Sequence, residues 1–455
     1  MSTLLAFLVT LAILIVVHEY GHYRVAKACG VKVLRFSVGF GRVIWRRQAT
    51  PDATEFTLCA IPLGGYVRML DEREAPVDAG LRAQAFNSKP LRQRVAIVAA
   101  GPLANLLLAI ALFGAANWVG MDVPKAVLGT PVAGSLAERA GVRAGDWVQS
   151  VSTDGQDWRD ISSLLDLHEQ VATAVAHGHK LHLSVSQGQG HGRRELLLDT
   201  ESLAGAEMDA ALAAKLGLGG PFSEAVLGRI SAGGAAAQAG LREGDRVLAV
   251  DSLQVADAAS LRALIRAASA DGQPHVQAWR VERAGQFIEI EVTPKVVVEG
   301  ERKIGRIEAM VGAAPQMVHL RYGFFDGLAR GAVRTWEVSW STLKVFGRML
   351  IGQASLKNLS GPLTIAEYAG QSAKLGLTQY LGFLALVSVS LGVLNLLPLP
   401  MLDGGHLMYY LFEGLSGRPV SEWWQTQLQR AGALILMLMM ALALSNDVAR
   451  FAGLH

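Results

Sequence analysis

Four runs of this 455-residue chain are apolar enough to cross a hydrocarbon core of about 30 Å, which takes roughly 20 residues of helix. The first extends from about Leu4 to Tyr23. The second, Val95 to Val119, has no charge between Arg94 and Asp122. The third, Tyr380 to Leu402, has none between Lys374 and Asp403. The fourth centres on "LILMLMMALAL", Leu434 to Leu444. A bilayer offers no partner for a backbone N–H or C=O, so each run is predicted as a helix. The first run lacks a basic start and a small-residue cleavage site, and so reads as a span, not a cleaved leader. With 51% hydrophobic and 18% charged residues, the chain is too polar to be spans alone. A substantial water-exposed part must accompany them.

Charge sets the expected orientation. Arg24 to Arg94 carries thirteen Lys and Arg against six Asp and Glu. A short, basic segment of this kind stays on the cytoplasmic side. The N-terminus, the long segment from Gly120 to Gln379 and the C-terminus then lie outside. The net charge of +3, without a basic tail or a basic–aromatic stripe, gives no footprint for nucleic acid. The two cysteines, Cys29 and Cys59, both precede the polar middle, so no disulfide framework supports it.

Within this frame the predicted class is an α-helical membrane protein of four spans, with a small β-rich cytoplasmic region and two outer α/β domains. The first span occupies residues 1–30. Residues 31–94 contain four β-branched or aromatic runs, "VKVLRFSV", "GRVIWRR", "TEFTLCAI" and "GGYVRML", separated by Gly, Pro and Asp. They predict a small sheet beside the membrane, whose segment Ile61 to Met69, with Gly64, Gly65 and Tyr66, offers an edge to an unwound peptide. The second span covers 95–119. Beyond it, "AERAGVRAGDWVQSV" from Ala137 matches "AAQAGLREGDRVLAV" from Ala236, an offset of 99 residues. This repeat resembles the PDZ domain, in which a Gly-Asp turn precedes a central strand, and it predicts one unit over 120–220 and another over 221–320. Residues 321–379 place Phe324, Phe325, Leu328, Trp336 and Trp340 at helical spacing and predict amphipathic helices on the membrane surface. The third span is expected over 380–406 and the fourth over 428–448.

The first span ends in "HEYGH". His18 and His22 are four residues apart, so on a helix both imidazoles lie on one face and can share a metal ion. Glu19 is adjacent and can act as a general base toward a metal-bound water, whose pKa zinc lowers to about 7. Ionisable groups within a span cost at least about 2.5 kcal/mol each on insertion scales, so three on one turn require a purpose. Catalytic zinc normally takes three protein ligands, so a third is expected from another span at the same depth. Asp403, in "NLLPLPMLDGGH", fits: by the charge-derived orientation, spans one and three both end on the cytoplasmic side. Pro398 and Pro400 should break the third helix there, and the freed carbonyls must face protein or a water-filled cavity.

These motifs carry a resemblance. "HEYGH", "GPLAN" (Gly101 to Asn105), the tandem PDZ-like units, "SGPLTI" (Ser360 to Ile365) and "NLLPLPMLDGGH" occur in the order found in the site-2 protease family of intramembrane zinc metalloproteases. The resemblance implies hydrolysis of peptide bonds within transmembrane segments of single-span substrates. In the branch with two PDZ units between spans two and three, the substrates are an anti-sigma factor already trimmed outside and remnant signal peptides. It implies the bacterial inner membrane, with the PDZ-like units periplasmic and the active site near the cytoplasm. It implies one Zn2+ held by His18, His22 and Asp403, Glu19 as catalytic base, and Asn395 near the substrate backbone. From the residues alone, Asn395 reads equally well as helix–helix glue. Asn105 reads as structural, His177, His179, His182 and His191 as surface residues, and His406 as a bystander.

Two other classes of function compete. A PDZ scaffold with a vestigial metal group would have no need of Glu19. A metal-ion transporter would also place ionisable groups in spans, but the membrane half shows no internal repeat and one candidate site.

Overall fold

The computed structural model describes residues 3–187, 191–205, 210–300, 302–351 and 361–451. The chain begins with α1 (Thr3–Ala28), which carries no charge before Glu19. Two 15-residue strands follow, β1 (Val33–Arg47) and β2 (Glu55–Met69). Each strand is bent, so the pair makes four rows. Residues 33–38 pair on one side with 65–69 and on the other with 55–58, and residues 56–59 pair in turn with 43–47. The bends fall where glycine supplies a left-handed backbone, Gly39 (φ 87°) and Gly41 (φ 85°) in β1 and Gly64 (φ 127°) in β2. The four apolar runs of the sequence are these four rows, and residues 65–69 form an edge. Next comes α2 (Leu91–Val119), which packs on α1 where Gly21 faces Ala100: a Cβ on Gly21 would stand 2.4 Å from the Ala100 carbonyl oxygen.

The segment between α2 and residue 321 holds two modules of one design. The first contains β3 (Met121–Pro124), α3 (Leu136–Arg139), β4 (Asp146–Ser152), β5 (Arg159–Asp160), α4 (Leu164–His177), β6 (Leu181–Gln187), β7 (His191–Leu198) and α5 (Ala210–Leu216). The second contains β8 (Leu227–Ile230), α6 (Ala235–Gln238), β9 (Arg246–Val250), β10 (Leu253–Gln254), α7 (Ala258–Ala267), β11 (Gln277–Arg283) and β12 (Gln286–Val292). Their antiparallel sheets run β5-β4-β6-β7 and β10-β9-β11-β12, the same order. Each has its own core, around Val148, Leu167 and Leu183 in one and Val247, Leu261 and Trp279 in the other. The repeated Gly-Asp explains itself in both. Asp146 and Asp245 are buried, and each takes a backbone N–H (from Arg143 and Arg242) and a guanidinium (Arg194 and Arg283) at 2.6–2.8 Å. Removing one member of such a pair strands a buried charge, at a cost of about 3–5 kcal/mol. The modules are joined by Asp257, which caps α7 and accepts both the N–H and the hydroxyl of Thr130 at 2.7 Å. Only the second is extended, by the hairpin β13 (Lys295–Glu299) and β14 (Arg302–Arg306), by β15 (Ala309–Val311), which pairs with β8, and by β16 (Met317–Leu320), which pairs with β3.

Five helices complete the chain: α8 (Phe324–Leu350), α9 (Pro362–Leu375), α10 (Leu377–Leu396), α11 (Asp403–Ser416) and α12 (Glu422–Phe451). Among the described residues, four helices are long and apolar enough to span a membrane: α1, α2, α10 and α12, the last over Trp423–Val448. The expected third span, 380–406, is divided. Helix α10 ends at Leu396 and α11 begins at Asp403, because Pro398 and Pro400 cannot continue the ladder. Of the helices expected over 321–379, α8 packs lengthwise on α2 and reaches α10. Gly327 meets Trp118, Gly331 meets the Ile110 carbonyl, and Val338 joins a core with Ala109, Ala385 and Val389. A stripe of small residues, Gly327, Gly331 and buried Thr335, permits this approach, while Phe325 and Trp336 face outward. Of "SGPLTI", Ser360 lies outside the described residues. Gly361 and Pro362 begin α9, whose free N–H groups are capped by the Asp447 carboxylate of α12. By its contacts the chain divides into two units, Met1–Met121 with Arg321–His455, and Asp122–Leu320.

Candidate metal centre and its cavity

Helix α1 presents His18 and His22 one turn apart, and the start of α11 presents Asp403. The Asp403 Oδ2 is 3.2 Å from His18 Nε2 and 3.4 Å from His22 Nε2, and the two Nε2 atoms are 3.3 Å apart. Ligand atoms about 2.05 Å from a tetrahedral centre lie roughly 3.3 Å from one another, so three nearly equal separations of this size fit a single zinc-sized ion. Among the described residues this is the one group of three or more His, Cys, Asp or Glu so gathered. The donor set, two imidazoles and a carboxylate, is one that catalytic zinc uses with its fourth position open.

Helix α2 orients both histidines. The His22 Nδ1–H donates to the Ile97 carbonyl at 2.8 Å, which leaves the Nε2 lone pair free to bind a metal. The Asn105 side-chain amide lies 3.3 Å from His18 Nδ1, and its other end is buried without a partner. An amide and its 180° flip occupy the same space. With the oxygen toward His18, it accepts the Nδ1–H and His18 too keeps Nε2 for a metal. Sequence reasoning assigned Asn105 to structure; nothing in one helix's pattern says which neighbour its amide faces. Helix α2 also fixes α11, since Arg94 makes a bidentate pair with Glu413 at 2.6 and 3.1 Å and lies over the Tyr410 ring.

Glycines set the clearances. A Cβ on Gly101 would stand 2.2 Å from His22 Nε2, and one on Gly65 would stand 2.9 Å from Glu19 Cγ. Gly404 and Gly405 let α11 start directly against the carbonyls of Leu396, Leu397 and Leu399. "GPLAN" and "LDGGH" are thus both close-approach sequences.

Glu19, His18, His22 and Asp403 all line a cavity of about 550 Å3. Asn395, Gly65 and Tyr66 line it too, together with Arg68 and His406. Gly64 does not; it is a bend residue packed on Phe40. Among the described residues the histidines of the first module form no group of three, although the His177 and His179 rings stack at 6.0 Å. His177 meets the Thr173 carbonyl and His182 pairs with Glu195, both within the first module.

Apolar spans, a His-Glu-x-x-His helix and a carboxylate brought to it by α11 define a membrane metalloprotease, and the chain belongs to peptidase family M50, whose profile matches residues 6–439. It is 37% identical over 459 residues, 98% of each chain, to the regulator of sigma-E protease RseP of Escherichia coli, and 37% over 460 residues, again 98% of each, to that of Salmonella typhimurium. A Ralstonia nicotianae chain, provisionally named a zinc metalloprotease, is 41% identical over 469 residues, all of both chains.

Proposed function

We propose that this protein is an intramembrane zinc endopeptidase that cuts within transmembrane segments of single-span substrates. The observation that carries the reading is the convergence of His18, His22 and Asp403 to 3.2–3.4 Å, with Glu19 and a strand edge lining the same cavity. His18, His22 and Asp403 would hold one Zn2+. The ion would lower the pKa of a water it binds and polarise the scissile carbonyl. Glu19 would take the water's proton and return it to the departing amine. Asn105 and the Ile97 carbonyl keep both imidazoles in the ligating tautomer.

A helical substrate has its backbone groups engaged and must unwind before attack. The row 65–69 would receive the unwound segment as an added strand, along Gly65 and Tyr66. Asn395 would donate to a substrate carbonyl freed by unwinding.

In this reading the Asp122–Leu320 unit comprises two PDZ-like modules on the periplasmic side of the bacterial inner membrane, and the site lies near the cytoplasm. What supports it is the shared strand order of the modules, the basic 24–94 segment and the relatives named for sigma-E regulation. The substrates would be an anti-sigma factor whose outer part has already been trimmed, and remnant signal peptides.

The direct test is Glu19→Gln in proteoliposomes with a synthetic transmembrane peptide. The variant should bind zinc at wild-type stoichiometry and cleave nothing measurable. Wild-type turnover by a homogeneous preparation would remove Glu19 from the mechanism.

A further inference from the structure

A second cavity, of about 860 Å3, opens at the carboxyl end of α1, apart from the metal centre. Lys27, Lys32 and Arg47 line it, over a floor that includes Tyr23 and Phe56, whose rings meet edge-on at 5.7 Å. A fourth cation is at hand, since Lys89 Nζ would lie 3.4 Å from a Cβ on Gly30, another lining residue. The one carboxylate lining it, Asp52, is 92% exposed and reaches Lys32 alone, at 3.2 Å. The cavity therefore carries a positive field at the end of a span, where headgroups lie.

The β1–β2 register extends this cavity into an apolar strip. Arg47 pairs with Phe56, and Trp45 with Leu58. Residues two apart on a strand share a face, so Trp45 and Leu58 continue the face that carries Arg47 and Phe56. Trp45 is 52% and Leu58 44% exposed. One surface thus runs from three cations to an uncovered apolar ribbon. A soluble anion would match the cations and leave the ribbon bare. A phospholipid with an anionic headgroup matches both.

We propose that this surface binds an anionic phospholipid, its phosphate among Lys27, Lys32 and Arg47 and an acyl chain over Trp45 and Leu58. The site would fasten the bent sheet to the leaflet at the carboxyl end of α1. It is independent of the protease reading and uses none of the metal-site residues.

The test uses the full chain, purified in neutral detergent and stripped of lipid. Phosphatidylglycerol and phosphatidylcholine of identical acyl chains are titrated by native mass spectrometry. Phosphatidylglycerol should bind about tenfold more tightly or better. Lys27→Gln, Lys32→Gln and Arg47→Gln together should abolish that preference. A charge-matched control at exposed Arg92, Arg418 and Arg430, each changed to Gln, should keep it. Millimolar inorganic phosphate should not displace the lipid. In the unmodified chain, phosphatidylglycerol brominated on its acyl chain should quench tryptophan emission, and Trp45→Phe should remove that component. Equal binding of the two lipids, a preference retained by the cavity variant or lost by the control, displacement by free phosphate, or quenching indifferent to Trp45 would each overturn the proposal.

Discussion

Replacing Gly101 by Ala is the sharpest test of how α2 shapes the metal centre. The substitution favours the helix itself, since Ala exceeds Gly in helix propensity by about 1 kcal/mol. Its Cβ, however, would stand 2.2, 2.6 and 2.8 Å from Nε2, Cε1 and Cδ2 of His22. Non-bonded carbon contacts sit near 3.5 Å, so the imidazole must retreat by about 1.3 Å. It has nowhere to go, because its Nδ1–H is held by the Ile97 carbonyl and α1 is pressed against Ala100 at Gly21. Metal–ligand distances tolerate roughly ±0.2 Å, so a shift of this size takes Nε2 out of reach of an ion shared with His18 and Asp403. The expected result is a fall in zinc affinity of about 100-fold or more, read by chelator competition, with cleavage lost in parallel and helical circular dichroism unchanged. Gly382→Ala in α10, where nothing lies within 4 Å of the added methyl, is the control and should behave as wild type. A Gly101→Ala protein with wild-type zinc affinity would refute the reasoning.

Asp403→Ala should lower zinc content and turnover together; a variant that keeps both would place the third ligand elsewhere. Asn105→Ala should weaken zinc binding by about 10- to 100-fold, seen in chelator competition, while the far amide of Asn117 tolerates the same change. Deleting about Pro124 to Thr293 should leave cleavage of short-tailed substrates intact and permit cleavage of long-tailed ones, if the outer modules act by exclusion. A deleted form that folds, binds zinc and still rejects the long tail would count against that role.

The spans and the gathering of His18, His22 and Asp403 were legible in sequence because each rests on a local rule. An uncharged run of 20 residues has few alternatives, and an i, i+4 histidine pair fixes its own geometry on any helix. The divided third span was legible in Pro398 and Pro400 for the same reason. What lay hidden depends on partners distant in the chain. The four β runs and an edge near Ile61 to Met69 were visible, but not that each pair of runs is one strand bent at Gly39 and Gly41 or at Gly64. The Arg94–Glu413 pair joins residues 319 apart, and Asn105 serves a histidine 87 residues earlier. In α8 the aromatic spacing was conspicuous, yet the inconspicuous Gly327, Gly331 and Thr335 decide where the helix packs.

The division of the ligands between α1 and α11 has a consequence in time. His22 and Asp403 are separated by 403 − 22 = 381 positions. At 5–20 residues per second, a ribosome needs roughly 20 to 75 seconds to pass from one to the other. Throughout that interval the nascent chain holds its two histidines and its glutamate in the membrane without the carboxylate that completes the set. On the proposed ligand set, a half-made copy beside other newly inserted helices would lack the means to cut them. With the proposed ligand set, the order of residues along the chain would by itself delay activity until α11 is made.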